Sequence, residues 1–336
     1  MTVPPPVLGA VEATLERRTG GPLRVKATSH VGGGCINPSA RLETEDGSHY
    51  FLKWNPAAAS TMFAAEADGL RALAGPGSLR VPEVLGAGGS GNSTDPGWLL
   101  LEFIPKGRAG PDYGGRLGEG LAALHGFPSH EAKANPSAGR NRDPETVGDG
   151  VLDAGSDPYQ PGTFGWHRPN FIGSLHQEND PRTDWGVFWR DLRLEPQVRM
   201  ARDLGYFHGR RGRPLDTLMD RMAELLPDSD HRKPNLLHGD LWSGNFYPGP
   251  SGEPVLIDPA VYLGAGEVDL AMMELFGSLP RGFVEGYTSG RGLDPEYDSF
   301  RRDLYQLYYL LVHVNLFGGS YESGSLAAAE RVLRNT

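Results

Sequence analysis

From Leu23 to Ile104 the pattern of apolar and polar positions reads as short strands punctuated by turns, with one helix in the middle, and Ser39 to Glu45 shows the period-two alternation of a half-buried strand. Leu23 to Val31 reads as a strand, Gly32-Gly33-Gly34 as a turn, and Ser39 to Glu45 as a second strand. Asp46-Gly47 is a hairpin signal that leads into a third strand, His49 to Trp54. Asn55-Pro56 then supplies an N-cap and first-turn proline for a helix running to about Ala74, with Phe63, Glu66, Ala67, Leu70 and Ala74 on one face. Two more strand-like runs, Val81 to Ala87 and Trp98 to Ile104, complete an N-terminal lobe over residues 1–104.

Beyond Pro105 the period changes to that of helices. Trp185, Phe188, Trp189 and Leu192 share a face, as do Leu215, Leu218, Met222 and Leu225. Two short apolar segments, Asn235 to Asp240 and Val255 to Asp258, interrupt the helices, and each delivers an aspartate at the end of a predicted strand. Helices near Phe300 to Phe317 and Ser325 to Leu333 close the chain. The stretch 126–162 is rich in Pro, Gly, Ser, Asn and charge without any period, and reads as an extended, partly mobile insertion. The pattern predicts an α+β protein with a strand-rich first lobe and a mainly helical second lobe, 105–336.

Composition narrows the function classes. The chain has 336 residues, 38% of them hydrophobic, as expected of a soluble globular protein. No window reaches the roughly 18 uninterrupted apolar residues of a membrane helix, and Met1 to Pro6 lacks the features of a signal peptide, so the expectation is a cytoplasmic protein with no membrane partner. The net charge of −10 repels nucleic acid and leaves any anionic ligand to be held by local groups. The single cysteine, Cys35, excludes an internal disulfide and a cysteine-rich zinc site. It leaves a monomer, or a redox-linked dimer through Cys35. That thiol follows the glycine turn, where amide dipoles can lower its pKa; the plainer reading is a small loop residue.

The chemistry concentrates in His238-Gly239-Asp240-Leu241-Trp242-Ser243-Gly244-Asn245 and in Ile257-Asp258. Phosphoryl transfer to a hydroxyl needs a carboxylate that orients the nucleophile and takes its proton, together with hard oxygen ligands for Mg²⁺. Asp240 can be the first, and Asn245 and Asp258 the second. The step from Asp240 to Asn245 matches the catalytic-loop spacing of protein kinases, and Asp258 falls where their second magnesium aspartate comes. Turn aspartates capping loop amides would account for each residue alone but not for identity, spacing and order together.

The first lobe supplies the other parts of an ATP site. Gly32, Gly33 and Gly34 could bring backbone N–H groups to phosphate oxygens, although they do not satisfy G-x-G-x-x-G. Lys53 lies in the third strand, and Glu66 sits on the otherwise apolar face of the next helix, where an unpaired carboxylate is costly. Pairing removes that cost and aims the ammonium at the α- and β-phosphates. Backbone groups of Glu102, Phe103 and Ile104 could bond an adenine edge, with Leu100 and Leu101 lining its pocket.

These motifs resemble the fructosamine kinase (ketosamine-3-kinase) family, a branch of the protein-kinase-like superfamily that includes the aminoglycoside phosphotransferases. His238 to Asn245, with its Leu-Trp-Ser-Gly interior, is the most specific stretch. Gly32 to Asn37, Phe51-Leu52-Lys53, Met62 to Glu66, Asn170 to Ser174, Asp184-Trp185, Arg193-Leu194, Asp258-Pro259-Ala260, Glu267 to Met272 and Leu316 to Gly319 also fit. The resemblance implies a bilobal kinase fold and ATP- and Mg²⁺-dependent phosphorylation of the 3-hydroxyl of a ketosamine, a sugar attached to an amine, whose phosphorylated adduct then releases the amine. It implies Asp240 as base, Asn245 and Asp258 as magnesium ligands, Lys53 as the phosphate lysine with Glu66 as its partner, and Asp269 as a brace for the catalytic loop. Gly239 in place of the loop arginine of protein kinases, and Pro259-Ala260 in place of Phe-Gly, argue against an activation segment switched by phosphorylation.

Trp242, Trp166, His167, Asn170 and Phe171 are candidates for the acceptor site, because an aromatic face suits the C–H side of a sugar and an amide suits its hydroxyls. Core packing is the competing explanation for each aromatic. Rival functions are phosphorylation of an antibiotic, choline or homoserine-like alcohol, a nucleotide-binding scaffold without catalysis, and a metal-dependent hydrolase using Asp240 and Asp258.

Overall fold

The computed structural model describes residues 2–32, 37–56, 60–92, 94–126, 162–227 and 233–336. In chain order the elements are α1 (Pro5–Thr19), β1 (Val25–His30), β2 (Ser39–Thr44), β3 (His49–Asn55), α2 (Ser60–Ala74), β4 (Val84–Gly88), β5 (Gly97–Glu102), α3 (Tyr113–Gly126), β6 (Asn170–Ile172) and β7 (Leu175–Gln177). Next come α4 (Trp185–Trp189), a π-helical turn (Arg190–Leu194), α5 (Glu195–Asp203), α6 (Arg213–Asp220), α7 (Met222–Leu225), β8 (Asn235–Leu237), β9 (Phe246–Pro248), β10 (Pro254–Leu256) and β11 (Tyr262–Gly264). The chain closes with α8 (Glu267–Leu275), α9 (Phe283–Gly290), α10 (Arg302–Phe317) and α11 (Glu322–Arg334). Two compact units result: Met1–Tyr113 with Gly244–Pro259, and Gly114–Ser243 with Ala260–Thr336.

The first unit is built on an antiparallel sheet ordered β1-β2-β3-β5-β4. Its hairpin between β2 and β3 turns at Gly47, whose φ of +82° a side chain would strain, and the Asp46 carboxylate accepts bonds from the Thr44 hydroxyl and the Ser48 amide. Leu42, Leu52, Trp54 and Leu100 pack with Val7, Val11 and Leu15, which line one side of α1 at four-residue spacing. Asn55, expected to cap α2, ends β3 and donates from Nδ2 to Asn37 Oδ1 at 2.9 Å; residues 57–59 lie outside the described residues, and α2 is described from Ser60. Phe63, Ala67, Leu70 and Leu73 form its buried face, and Ala74 is exposed.

The β9–β10 hairpin belongs to this unit. Leu256 N donates to Arg80 O, Arg80 N to Pro254 O, and Gly107 N to Pro248 O.

In the second unit Trp185, Phe188 and Trp189 pack with Tyr262 and Tyr305. Leu192 was expected on the same face but is only half-buried. The π-helical turn inserts a wider repeat, so Arg193 and Leu194 turn inward in its place. Arg193 is buried; its guanidinium lies 4.0 Å from the centre of the Tyr262 ring and donates to Glu178 O and Asn179 Oδ1. Leu215, Leu218, Met222 and Leu225 are buried together as their spacing predicts. β8 pairs antiparallel with β11, Leu237 opposite Tyr262, and this ribbon leads into the segment His238–Asn245.

Candidate active site

In the first unit the central strand and the helix after it bring a cation and a carboxylate together. Lys53 sits on β3 between Ser39 of β2 and Leu99 of β5, and only 8% of it is exposed. Its Nζ lies 2.7 Å from Glu66 Oε1 and 2.7 Å from Asp258 Oδ1. Burial alone would lower the lysine's affinity for its proton, but the charges of Asp258 and Glu66 outweigh it and hold the pKa above the ordinary lysine value. Glu66 moves upward: burial and the nearby Asp258 charge outweigh the attraction of Lys53. The ammonium therefore stays charged across the physiological range.

Asp258 adopts φ +57°, the left-handed region that few non-glycine residues enter. Such a backbone persists when its surroundings hold it, and it is common at functional sites. Beside it, Ile257 N donates to Asn245 O at 3.0 Å and Asn245 Nδ2 to Asp258 O at 3.4 Å, so the two residues are tied through backbone and side chain. One carboxylate and one amide make a hard-oxygen donor set that fits Mg²⁺, which is held by few protein oxygens and takes the rest of its shell from phosphates and water.

Gly32 is described, and a side chain there would meet no atom within 4 Å. Gly33, Gly34 and Cys35 lie outside the described residues, as do residues 127–161 of the proposed insertion. In the β5 segment Leu100 and Leu101 are buried. Two of the backbone groups expected to face adenine have protein partners: Glu102 N donates to Glu83 O at 2.9 Å, and Ile104 O accepts from the Tyr247 hydroxyl at 3.1 Å. The Glu102 carboxylate pairs with Arg80, and the Phe103 ring lies under the Arg41 guanidinium. Tyr247 escaped the sequence reading. Its position two residues after Asn245 was the available signal, but its contact with Ile104 spans 143 residues.

Asp240 lies in the second unit on the turn that follows β8. Gly239 precedes it at φ +80°, and a Cβ there would lie 2.1 Å from Ala260 O, so no larger residue fits. That is the physical reason a glycine stands in the place of the loop arginine. The backbone of the turn is tied on several sides. The buried Asp269 of α8 accepts from His238 N and Gly239 N, both at 2.8 Å, and the Tyr309 hydroxyl of α10 donates to Gly239 O at 2.8 Å. Asp269 therefore makes the bracing contacts that the resemblance implies.

His125 of α3 backs this brace and was missed, because a lone histidine in a helix carries no pattern. Its Nε2 lies 3.2 Å from Asp269 Oδ2 and its Nδ1 2.9 Å from the Tyr287 hydroxyl. The carboxylate fixes the proton on Nε2, leaving Nδ1 to accept from tyrosine. Burial lowers the His125 pKa, only partly opposed by Asp269.

The acceptor candidates divide. Trp242 is half-buried two residues after Asp240. Trp166 is buried and lies 5.0 Å from His167, ring centre to ring centre; Phe171 meets His176 edge-on. Asn170 does not present its amide as a sugar ligand. It is 6% exposed, donates to Val261 O at 2.7 Å and accepts from Gln177 Nε2 at 2.7 Å, bonds that make it a strut within the unit.

An antiparallel five-stranded sheet carrying a lysine–glutamate pair on its third strand and first following helix, then a helical unit with a braced aspartate turn, defines a protein-kinase-like phosphotransferase. A weaker likeness to the crystal structure of an aminoglycoside phosphotransferase, TM-score 0.54 at 16% identity over 96% of this chain and 98% of that one, shows this fold alone. The chain belongs to the fructosamine kinase family, whose profile matches residues 8–146 and 157–335. It is 37% identical over 322 residues to a probable ketoamine kinase of Synechocystis, covering 95% of each chain. It is 32% identical to mouse ketosamine-3-kinase over 96% of this chain and 98% of that one. A Haemophilus somnus crystal structure assigned as a fructosamine-3-kinase superposes with a TM-score of 0.77 at 26% identity, covering 96% of each chain.

Proposed function

We propose that the protein is an ATP-dependent kinase that phosphorylates the 3-hydroxyl of a ketosamine of the fructosamine or ribulosamine type. The observation that carries the reading is the catalytic turn: its glycine backbone is pinned by Asp269 and Tyr309, which presents Asp240 as a fixed carboxylate within a family of ketosamine kinases. Asp240 orients the sugar hydroxyl and accepts its proton as the oxygen attacks the γ-phosphorus. Lys53, kept charged by Glu66 and Asp258, holds the α- and β-phosphate oxygens. Asn245 and Asp258 would hold Mg²⁺, which would offset the negative charge of the triphosphate. The product decomposes and frees the amine, which makes the reaction a repair of glycated amines. Among the described residues no helix is long and apolar enough to cross a membrane, and we place the reaction in the cytoplasm.

Incubation with Mg²⁺-ATP and fructosyl- or ribulosyl-lysine, with the position of the phosphate read by NMR, tests this. Phosphate on O3 is expected, and Asp240→Asn lowers the rate by about a hundredfold or more. ATP consumption that is indifferent to the ketosamine, or an Asp240→Asn rate within a few-fold of wild type, overturns it.

A further inference from the structure

Four aromatic rings of the second unit gather at the outer end of α10. His313 and Phe317 lie one turn apart on that helix, Phe276 follows the last turn of α8, and Tyr321 stands in the short turn after Gly318. The His313 ring centre is 4.5 Å from Phe276, 5.4 Å from Phe317 and 4.9 Å from Tyr321. Phe276 is 36% exposed and Phe317 54% exposed. Large aromatics grouped and left open to solvent in this way are uncommon unless something binds them.

The cluster is continuous with the catalytic turn. Tyr309, which holds Gly239 O, is one helical turn before His313 on the same face of α10, and the His313 Nδ1 lies 2.7 Å from Tyr309 O. Gly277 follows Phe276, and a side chain begun at Gly277 would meet the Ser243 hydroxyl at 3.8 Å. Ser243 lies three residues after Asp240. The backbone position next to Phe276 thus lies beside the turn that carries the proposed base, and Phe317 faces solvent.

We propose that Phe276, His313, Phe317 and Tyr321 form a subsite for the alkylammonium half of the acceptor, the amine and the first carbons of the chain attached to the sugar. The inference rests on the kinase reading above and says which part of the substrate this surface takes. Ring faces attract a protonated amine and cover the carbon chain beside it. The bond from Nδ1–H to Tyr309 O leaves Nε2 as the acceptor atom of the imidazole, and burial lowers the pKa of His313, so the ring is neutral and does not repel a cation.

Three acceptors separate the contributions: fructose, which has no amine; 1-amino-1-deoxyfructose, which has the ammonium and no chain; and fructosyl-lysine, which has both. In the wild type kcat/KM rises along the series. Phe317→Ala, at an exposed position, and Phe276→Ala each reduce the ratio of fructosyl-lysine to fructose by about tenfold. The loss appears in the acceptor KM, while the KM for ATP and the unfolding midpoint stay at wild-type values. Variants that keep the wild-type ratio overturn the subsite. Variants that lose activity toward all three acceptors equally, or that raise the KM for ATP, also overturn it, because the rings would then be supporting the fold. A wild type that phosphorylates no ketosamine refutes the kinase reading instead, so the two failures are distinguishable.

Discussion

Lys53 is a buried cation kept by two carboxylates, one near in sequence and one far, Glu66 thirteen residues on and Asp258 at a separation of 205. If Glu66 aligns the ammonium for ATP, neutralising it leaves Lys53 drawn to Asp258 alone. Glu66→Gln preserves shape and a hydrogen-bonding oxygen, and is expected to raise the KM for ATP by about tenfold, the equivalent of roughly 1.4 kcal/mol, with the acceptor KM unchanged. Steady-state kinetics with each substrate varied in turn gives the answer, and a KM for ATP within twofold of wild type refutes the alignment role. The Lys53–Glu66 pair was legible because a carboxylate on an apolar helix face needs a partner and the preceding strand offered one. The bond from Lys53 to Asp258 and the left-handed backbone of Asp258 were not. No local pattern encodes a contact across that separation, and aspartate is compatible with many backbone conformations.

At the scale of elements, strands were easier to read than helices. Each strand of the first sheet appears within a few residues of its predicted run, because turn residues bound the runs, and β2 also shows the alternation of a half-buried strand. Leu192 failed because a π-helical turn breaks the phase that a 3.6-residue period assumes. Helix crossings were invisible too. Where α3 meets α9, a Cβ on Gly118 would lie 2.2 Å from Phe283 O and 2.6 Å from Tyr287 N, so the two backbones touch without side chains between them. Gly9 in α1 is exposed, and a Cβ there would meet nothing within 4 Å. The same substitution should therefore act in opposite directions. Gly9→Ala gains up to about 1 kcal/mol of helix propensity, whereas Gly118→Ala loses about 1–3 kcal/mol to overpacking that its propensity gain does not recover. Thermal unfolding of both variants measures it, and a Gly118→Ala midpoint at or above wild type excludes the close crossing.

The chain as a whole passes from the first unit to the second and back, which a reading with a single boundary at residue 104 does not express: Gly244–Pro259 packs with the N-terminal sheet although it is sandwiched in sequence between parts of the helical unit. The return is short, and its hairpin residues look like any surface turn. One buried group in the second unit makes a property of the whole molecule depend on pH. His125 is enclosed by Asp269 of α8, Tyr287 of α9 and Arg291, whose guanidinium donates to His125 O at 3.2 Å; its pKa lies below the ordinary 6.5 because burial and the Arg291 charge outweigh Asp269. The unfolded chain then binds the proton more readily than the folded one. The stability due to neutral His125 is complete above pH 6.5 and is lost as the pH falls from there toward the depressed folded value, by at most about 1.4 kcal/mol per pH unit for one proton. His313, lowered in the same sense, adds a share of its own. In His125→Gln the unfolding midpoint should consequently fall less steeply than in wild type between pH 6.5 and 5, even if the variant is less stable throughout. Parallel curves for the two proteins over that interval would mean that His125 binds its proton equally well folded and unfolded, and that its place behind Asp269 is one of packing alone.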